Sequence, residues 1–330
     1  MPDLYQRIEL SDRLGKYMLS FDEEWKAVQN RAIQANSWFT AAHVSLAVEN
    51  IAYQYLQKDK LEAWVKRYLL PKTNKKVGIV MAGNIPLVGF HDLLCGFISG
   101  HRLLIKLSSK DEILIRHLIA KLTEWEPTVS EQIQIADMLK NCDAYIATGS
   151  NNTARYFEQY FGKYPHIIRK NRTSVAVLDG SETDEELDKL ADDVFSYYGL
   201  GCRNVTQVCI PTGYDTNKLL ERLKRYDELM MHHKYKNNYD YYLAIYLLNR
   251  VPYLDNGSVL MVENELPFSA VSVLHYRYYK NKETLMNELV HSEDIQAVIG
   301  HGAIPFGASQ KPALDEYADG MDTMTFLCSL

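Results

Sequence analysis

The sequence predicts an α/β fold of two lobes, each a mainly parallel sheet flanked by helices. Three observations predict it. From Val77 onward, short β-branched apolar runs alternate with helix-length segments. A second set of the same kind follows from Val205. Hydrophobic residues make up 47% of the 330, enough for a large core divided between two lobes.

Residues 1–70 read as mostly helical, with Trp25, Trp38 and Trp64 as packing anchors. Pro71 and the polar KTNKK at 72–76 break that pattern. VGIVMA (77–82) is a buried strand, and PLVGFHDLLCGFIS is helix-like. RLLIKL (102–107) is a second strand, followed by a helix from about Asp111 to Trp125. DAYIAT (143–148) is a third strand, ahead of a helix from Asn151 to Phe161. SVAVLD (174–179) is another, ahead of the acidic helix DEELDKLADDVFSYY. Then come VTQVCIP, a helix near Tyr214–Tyr226, a Tyr-rich helical stretch, GSVLMV and SAVSVLHY. The boundary falls near Asn171, giving a first domain of 1–171 and a second of 172–330.

Net charge is −6, and no basic stripe is present, which argues against a nucleic-acid partner. The five cysteines form no CxxC pair and no metal-ligand spacing, as expected in a reducing cytoplasm. MPDLYQRIEL lacks the apolar stretch of a signal peptide. No apolar run approaches the ~20 residues that span a bilayer. No HExxH, nucleophile-elbow serine or Walker loop occurs, and the adjacent His232 and His233 cannot share one site on a helix. No metal is expected.

The stretch YYGLGCRNVTQVCIP (197–211) raises the functional question. Its Gly-Leu-Gly is not a dinucleotide fingerprint: helix precedes it, strand follows it, and Asn204 stands where a third glycine belongs. The glycines at 199 and 201 would free the backbone to turn. Cys202 would then lie outside the strand, with Arg203 beside it to lower its pKa. Taken alone, the stretch favours a small buried residue in a turn. Cys209, mid-strand, reads as packing only.

Other stretches shift that balance. In order they are AGNIPLVGF (82–90), GHRLLIKLSSKD (100–111), IATGSNNTARYF (146–157), the cysteine stretch, VENELPFSAVSVLHY (262–276) and IPFGASQKPAL (304–314). Together they resemble the aldehyde dehydrogenase superfamily, and within it the acyl-CoA reductases related to the fatty-acid reductase of bacterial luminescence. The resemblance runs from about Val77 to the C-terminus.

It implies that Cys202 is the nucleophile and that the Asn84 amide helps to bind the carbonyl oxygen. The plainer reading of Asn84 is a helix N-cap ahead of Pro86. Lys106 matches the lysine that holds the adenosine ribose. Ser109 stands where many NAD-preferring members carry a glutamate, and Ser108 and Lys110 could donate to a 2′-phosphate. The expected cofactor is therefore NADPH, with NADH as the alternative. Gly149 and Ser150 would put N–H groups at a helix N-terminus facing the pyrophosphate. Glu265 matches the glutamate that holds the nicotinamide ribose, with Glu263 as the fallback. Phe306 matches the late Pro-Phe-Gly phenylalanine.

Two departures bear on function. Hydrolytic members activate water with a glutamate; Ile168 stands at that position, and no carboxylate lies between His166 and Ser174. Arg169, Lys170 and Arg172 there would meet phosphates or form a solvated basic turn. The chain is also shorter than a typical member, which leaves a homo-oligomer contact open. The Tyr-rich 225–254 reads as an aromatic core face sooner than an acyl tunnel. The resemblance thus implies a cytoplasmic acyl-CoA reductase that forms an aldehyde, taking its acyl group from acyl-CoA or from a partner synthetase. The alternatives are a CoA-acylating aldehyde dehydrogenase in the oxidative direction and a non-catalytic nucleotide- or partner-binding scaffold.

Overall fold

The computed structural model describes residues 1–330. The chain divides into two compact units, Met1–Asn171 with Pro312–Leu330, and Arg172–Lys311.

The first unit opens with four helices, α1 (Leu4–Met18), α2 (Glu23–Ala35), α3 (Ala41–Tyr55) and α4 (Lys58–Val65). The first three start with side-chain caps. Asp3 and Gln6 form a reciprocal capping box, and Asp22 and Thr40 accept from Trp25 N and His43 N. Trp25 and Trp64 are buried, as anchors should be, whereas Trp38 is half-buried. Trp25 Nε1 donates to Met18 O, and Trp64 Nε1 donates to Tyr317 Oη.

The alternating segment follows: β1 (Lys76–Val80), α5 (Phe90–Ser99), β2 (Arg102–Lys106), α6 (Ile113–Trp125), α7 (Val129–Gln132), β3 (Ile133–Ile135), β4 (Ala144–Thr148), α8 (Asn151–Phe161) and β5 (His166–Arg169). The five strands form one parallel sheet in the order β3-β2-β1-β4-β5. The middles of the central strands are buried, with Val77, Ile79, Leu103, Ile105 and Ile146 at most 1% exposed, as a sheet covered on both faces requires.

The second unit contains β6 (Thr173–Val177), α9 (Asp184–Phe195), β7 (Val205–Pro211), α10 (Thr216–Leu223), α11 (His233–Asn249), β8 (Leu254–Asp255), β9 (Leu260–Glu263), β10 (Val273–Tyr279), α12 (Lys282–Val290) and β11 (Ile295–Gly300). Its six-stranded sheet runs β11-β6-β7-β10-β9-β8, parallel except for β8 against β9. Each unit thus holds a mainly parallel sheet flanked by helices, the α/β class the sequence predicts. In α11 the rings of Tyr239, Tyr242 and Tyr246 pack with Leu260, Val262 and Val273, an aromatic core face.

Some segments depart from the sequence reading. Arg169, read with Lys170 and Arg172 as part of a basic turn or a phosphate contact, is the last residue of the edge strand β5. Arg169 is not a phosphate partner or a solvated residue. It is buried, with Nη1 2.5 Å from Asp92 Oδ2 of α5 and Nη2 2.7 Å from Thr323 Oγ1. Arg172 donates from Nη1 to Ile295 O. The second domain was expected to run to residue 330. Instead Pro312–Leu330, with the short helix α13 (Thr323–Cys328), joins the first unit, because Met324 and Leu327 belong to that unit's core. No helix is long and apolar enough to cross a membrane.

Removing one partner of the Arg169–Asp92 pair leaves a buried charge unanswered. Asp92→Ala is expected to destabilise the protein by about 3–5 kcal/mol in urea unfolding. A loss below about 1 kcal/mol would place the pair among interactions of surface strength.

Candidate active site

In the first unit the residues singled out by sequence gather at one edge of the sheet. Asn84 follows β1, Lys106 ends β2, Ser108 and Ser109 follow it, and Gly149 and Ser150 join β4 to α8. The strand order reverses at β1, flanked by β2 and β4. Ligands of open parallel sheets bind outside the carboxyl ends of strands at such a reversal.

The loop after β1 is tightly constrained. A Cβ on Gly83 would lie 2.5 Å from Ser108 Oγ and 3.2 Å from Asp111 Cβ, so only glycine lets the two loops touch. Leu87 is left-handed (φ 58°), and its N–H donates to Asp111 Oδ2 at 2.6 Å. Burial pushes the Asp111 carboxyl up to about 8. Asn84 is exposed and is not the cap of α5: Gly89 holds that position, because the turn at Leu87 delays the helix to Phe90.

Lys106 and Ser109 are exposed, and Ser108 is half-buried. Ser150 Oγ accepts from Thr153 N and caps α8, and Gly149 N donates to Arg169 O. This edge therefore offers an amine, hydroxyls and a helix N-terminus, with Gly149 packed so close that a Cβ would lie 3.0 Å from Phe157. That donor set fits a phosphorylated dinucleotide.

In the second unit Cys202 is half-buried in the turn between α9 and β7. The turn begins with three consecutive left-handed residues, Tyr197 (φ 53°), Tyr198 (φ 58°) and Gly199 (φ 75°). The left-handed run thus includes two tyrosines besides the glycine. Asn204, fully buried, closes the turn. Its Nδ2 donates to the carbonyls of Asp193 (3.1 Å), Val194 (3.4 Å) and Ser196 (2.7 Å), and its Oδ1 accepts from Gly201 N at 2.8 Å. Ser174 Oγ of β6 donates to Cys202 O at 3.0 Å. Arg203 Nη1 donates to Ser309 O at 3.3 Å. Cys202 therefore lies before the strand, whereas Cys209 is enclosed within it and its thiol is pushed up by burial.

Glu265 lies in the exposed loop after β9, 3.5 Å from Arg277 Nη1. Gln207 of β7 holds this loop by donating to the carbonyls of Asn264, Glu265 and Leu266, and Thr206 Oγ1 donates to Pro267 O. Glu263, the fallback, is the exposed last residue of β9. Phe306 is buried, with its ring edge-on to His301. The loop bearing it is gripped by Asp193 of α9, which accepts from Gly307 N (2.7 Å) and Ser309 N (3.0 Å). Asp111, Asp193, Asn204 and Gln207 were not singled out as site residues by sequence; Asn204 bonds backbone groups of its own turn, and the other three bond backbone groups of distant loops.

Asp179, Glu182 and His301 converge closely enough to suggest cation ligands. The local charges are already answered. Lys282 Nζ lies 2.7 Å from Asp179 and, with Ser181, holds that carboxyl well below its usual range. Glu182 accepts from the backbone N–H groups of Asp179 and Gly180. His301 is raised by Glu186 (2.9 Å) and Asp179 (3.3 Å), and the backbone N–H of Thr183, with His301 and the Thr183 hydroxyl, lowers Glu186 to about 2. The cluster is an ion-pair network.

Residues 24–228 match the model of the acyl-CoA reductase (LuxC) family. The chain belongs to that family. The fold of this acyl-CoA reductase family member is also that of solved aldehyde dehydrogenases. Aldehyde dehydrogenase 21 of Physcomitrella patens, in complex with the reaction product succinate, superposes with a TM-score of 0.72 at 11% identity, covering 98% of this chain and 84% of that one. The Mycobacterium tuberculosis aldehyde dehydrogenase complexed with NAD+ gives 0.66 at 12%, covering 90% and 73%. An NADP-dependent enzyme of E. coli gives 0.69 at 10%, covering 90% and 73%. No curated protein matches the sequence. Family and fold support an oxidoreductase of aldehyde-level chemistry.

The Asp111 carboxyl has a direct pH consequence. Because its folded pKa lies above the unfolded value, the group favours folding below about pH 4, and that contribution is lost as pH rises through about 8. Asp111→Asn keeps an acceptor for Leu87 N without the charge. The stability of wild type relative to Asp111→Asn should fall steadily from pH 5 to pH 8 in urea titrations. A difference independent of pH would mean that Asp111 ionises normally.

Proposed function

We propose that the protein is an NADPH-dependent acyl-CoA reductase that converts an acyl thioester to an aldehyde through a Cys202 acyl-enzyme. The observation that carries this reading is Cys202 itself, half-buried in a clamped turn ahead of β7 in a chain of the acyl-CoA reductase family.

The Cys202 thiolate attacks the acyl carbonyl carbon and forms a new C–S bond. The Cys202 backbone N–H would donate to the developing oxyanion, and the resemblance implies the same role for the Asn84 amide N–H. The bond to the donor sulfur breaks, and the departing coenzyme A thiolate takes a proton from solvent. Held by the residues named below, a reduced nicotinamide would supply the hydride that reduces the acyl carbon. The resulting thiohemiacetal on Cys202 collapses to the aldehyde, with the Cys202 thiolate as leaving group.

Lys106, Ser108 and Ser109 would hold the adenosine end, with no carboxylate at 109 to repel a 2′-phosphate. Gly149 would let the pyrophosphate approach closely, its own N–H being held by Arg169 O, while Ser150 and the α8 N-terminus would take the pyrophosphate; Glu265 would hold the nicotinamide ribose, and Phe306 would wall the nicotinamide side. Ile168 occupies β5 where hydrolytic relatives would carry a carboxylate, so this strand supplies no base to activate water. That favours acyl exchange with thiols over hydrolysis. The acyl donor is acyl-CoA or an acyl group delivered by a synthetase.

Incubation with acyl-CoAs of graded length, without nicotinamide, should yield one acyl adduct by intact mass. Cys202→Ala should abolish the adduct, and Asn84→Ala should slow its formation by ~10²–10³. No adduct at any chain length would sink direct acyl-CoA reduction. Ser109→Glu is expected to shift kcat/KM toward NADH at least ten-fold, on the order of 1.4 kcal/mol. Unchanged cofactor preference would remove Ser109 from the nucleotide site.

A further inference from the structure

Two buried polar side chains join the cysteine turn to the Phe306 loop. Asn204 reaches both ways along the turn: its Nδ2 answers three carbonyls at the end of α9, and its Oδ1 answers Gly201 N next to Cys202. One of those three carbonyls belongs to Asp193. The Asp193 carboxylate, 1% exposed, in turn accepts from Gly307 N and Ser309 N, on either side of Ala308 and directly after Phe306. Arg203, the neighbour of Cys202, closes the circuit by donating to Ser309 O.

We propose that Asn204 and Asp193 are positioning residues that lock the Cys202 turn and the Phe306 loop into one block, and so set the exposure and reactivity of the Cys202 thiol. The proposal rests on Cys202 being the working nucleophile, and it adds residues that never touch substrate. The geometry supports a positioning role over mere core filling. Asn204 spends the oxygen of its amide on Gly201 N, beside Cys202, and the nitrogen on the end of α9, and Asp193 spends both oxygens on the loop bearing Phe306. A buried carboxylate held by backbone N–H groups of a distant loop fixes that loop's orientation, because releasing it would leave the charge unanswered. The same circuit holds open the left-handed exit from α9, which would otherwise relax.

The test reads thiol chemistry and amide exchange, not turnover. In wild type, Gly201 N, Gly307 N and Ser309 N should show matching hydrogen-exchange protection, as one opening unit. Asn204→Ala and Asp193→Asn should each change the Cys202 alkylation rate at least five-fold and move its pH profile. The half-buried Cys328 serves as internal reference, and Cys95, Cys142 and Cys209 should stay protected. Asp193→Asn should also raise exchange at 307 and 309 at least ten-fold. Asn204→Asp keeps the acceptor for Gly201 N but loses the donor, so it should resemble Asn204→Ala. If Asn204→Ala does not fold, Asp193→Asn and wild-type exchange decide the matter. Independent exchange of the three amides, or folded variants with an unchanged Cys202 profile, would overturn the proposal. Failure of acyl-adduct formation in wild type with the locking intact would instead overturn the role of Cys202.

Discussion

Backbone groups that leave a helix or strand must find partners, and in this chain buried side chains supply them. The loops that carry the candidate chemistry depend on this constraint. Asn204 answers the end of α9 and the turn at Gly201, while Gln207 answers three carbonyls around Glu265. Asp193 answers the loop after Phe306, Asp111 answers Leu87 N, and Glu182 answers the turn at Asp179. Each polar group costs desolvation, of order 1–3 kcal/mol if left unmade. Each holds backbone groups of a loop and so fixes its position, although Asp111 Oδ1 is buried without a hydrogen-bond partner.

The two units use their parallel sheets differently. In the first, the candidate residues stand at the carboxyl ends of β1, β2 and β4, around the reversal of strand order. Strand ends are the places where a sheet covered on both faces meets solvent. In the second, Cys202 precedes β7, at the amino end of a central strand. The loop after β9 folds back until Pro267 O meets Thr206 Oγ1, beside that same end. Strand β7 therefore orders both features, with Asn204 holding the turn before it and Gln207 holding the loop folded onto it.

Periodicity made β1, β2, β4, β6 and β7 legible, because each is a run of β-branched or apolar residues bounded by turn signals. It failed for β3 and β5, which are short edge strands, and for β11, whose IQAVIG follows a helix with no strong break. Arg169 shows why. In sequence it belongs to a basic run, and only the fold brings Asp92 and Thr323 to it. The positions of Cys202, Lys106 and Ser150 at element ends were readable, since turn residues mark those ends. The residues that hold them in place were not. Asp193 acts on Gly307, and Asp111 on Leu87, across separations that no local pattern encodes.

The left-handed exit from α9 is the least expected local feature, and its position carries meaning. Left-handed backbone costs a non-glycine residue roughly 1–2 kcal/mol, and here two successive tyrosines adopt it. Glycine at both positions would relieve that strain, yet tyrosine brings packing that glycine lacks. The Tyr198 ring stacks on His232 with centroids 4.5 Å apart, and both tyrosines are buried. The rings and the Asn204 amide thus over-determine a conformation the backbone alone would leave. Strain of this kind persists where surrounding contacts hold it. In this turn the left-handed run ends at Gly199, three residues before Cys202, so the contacts that hold the strain also fix the start of the short segment that carries the thiol.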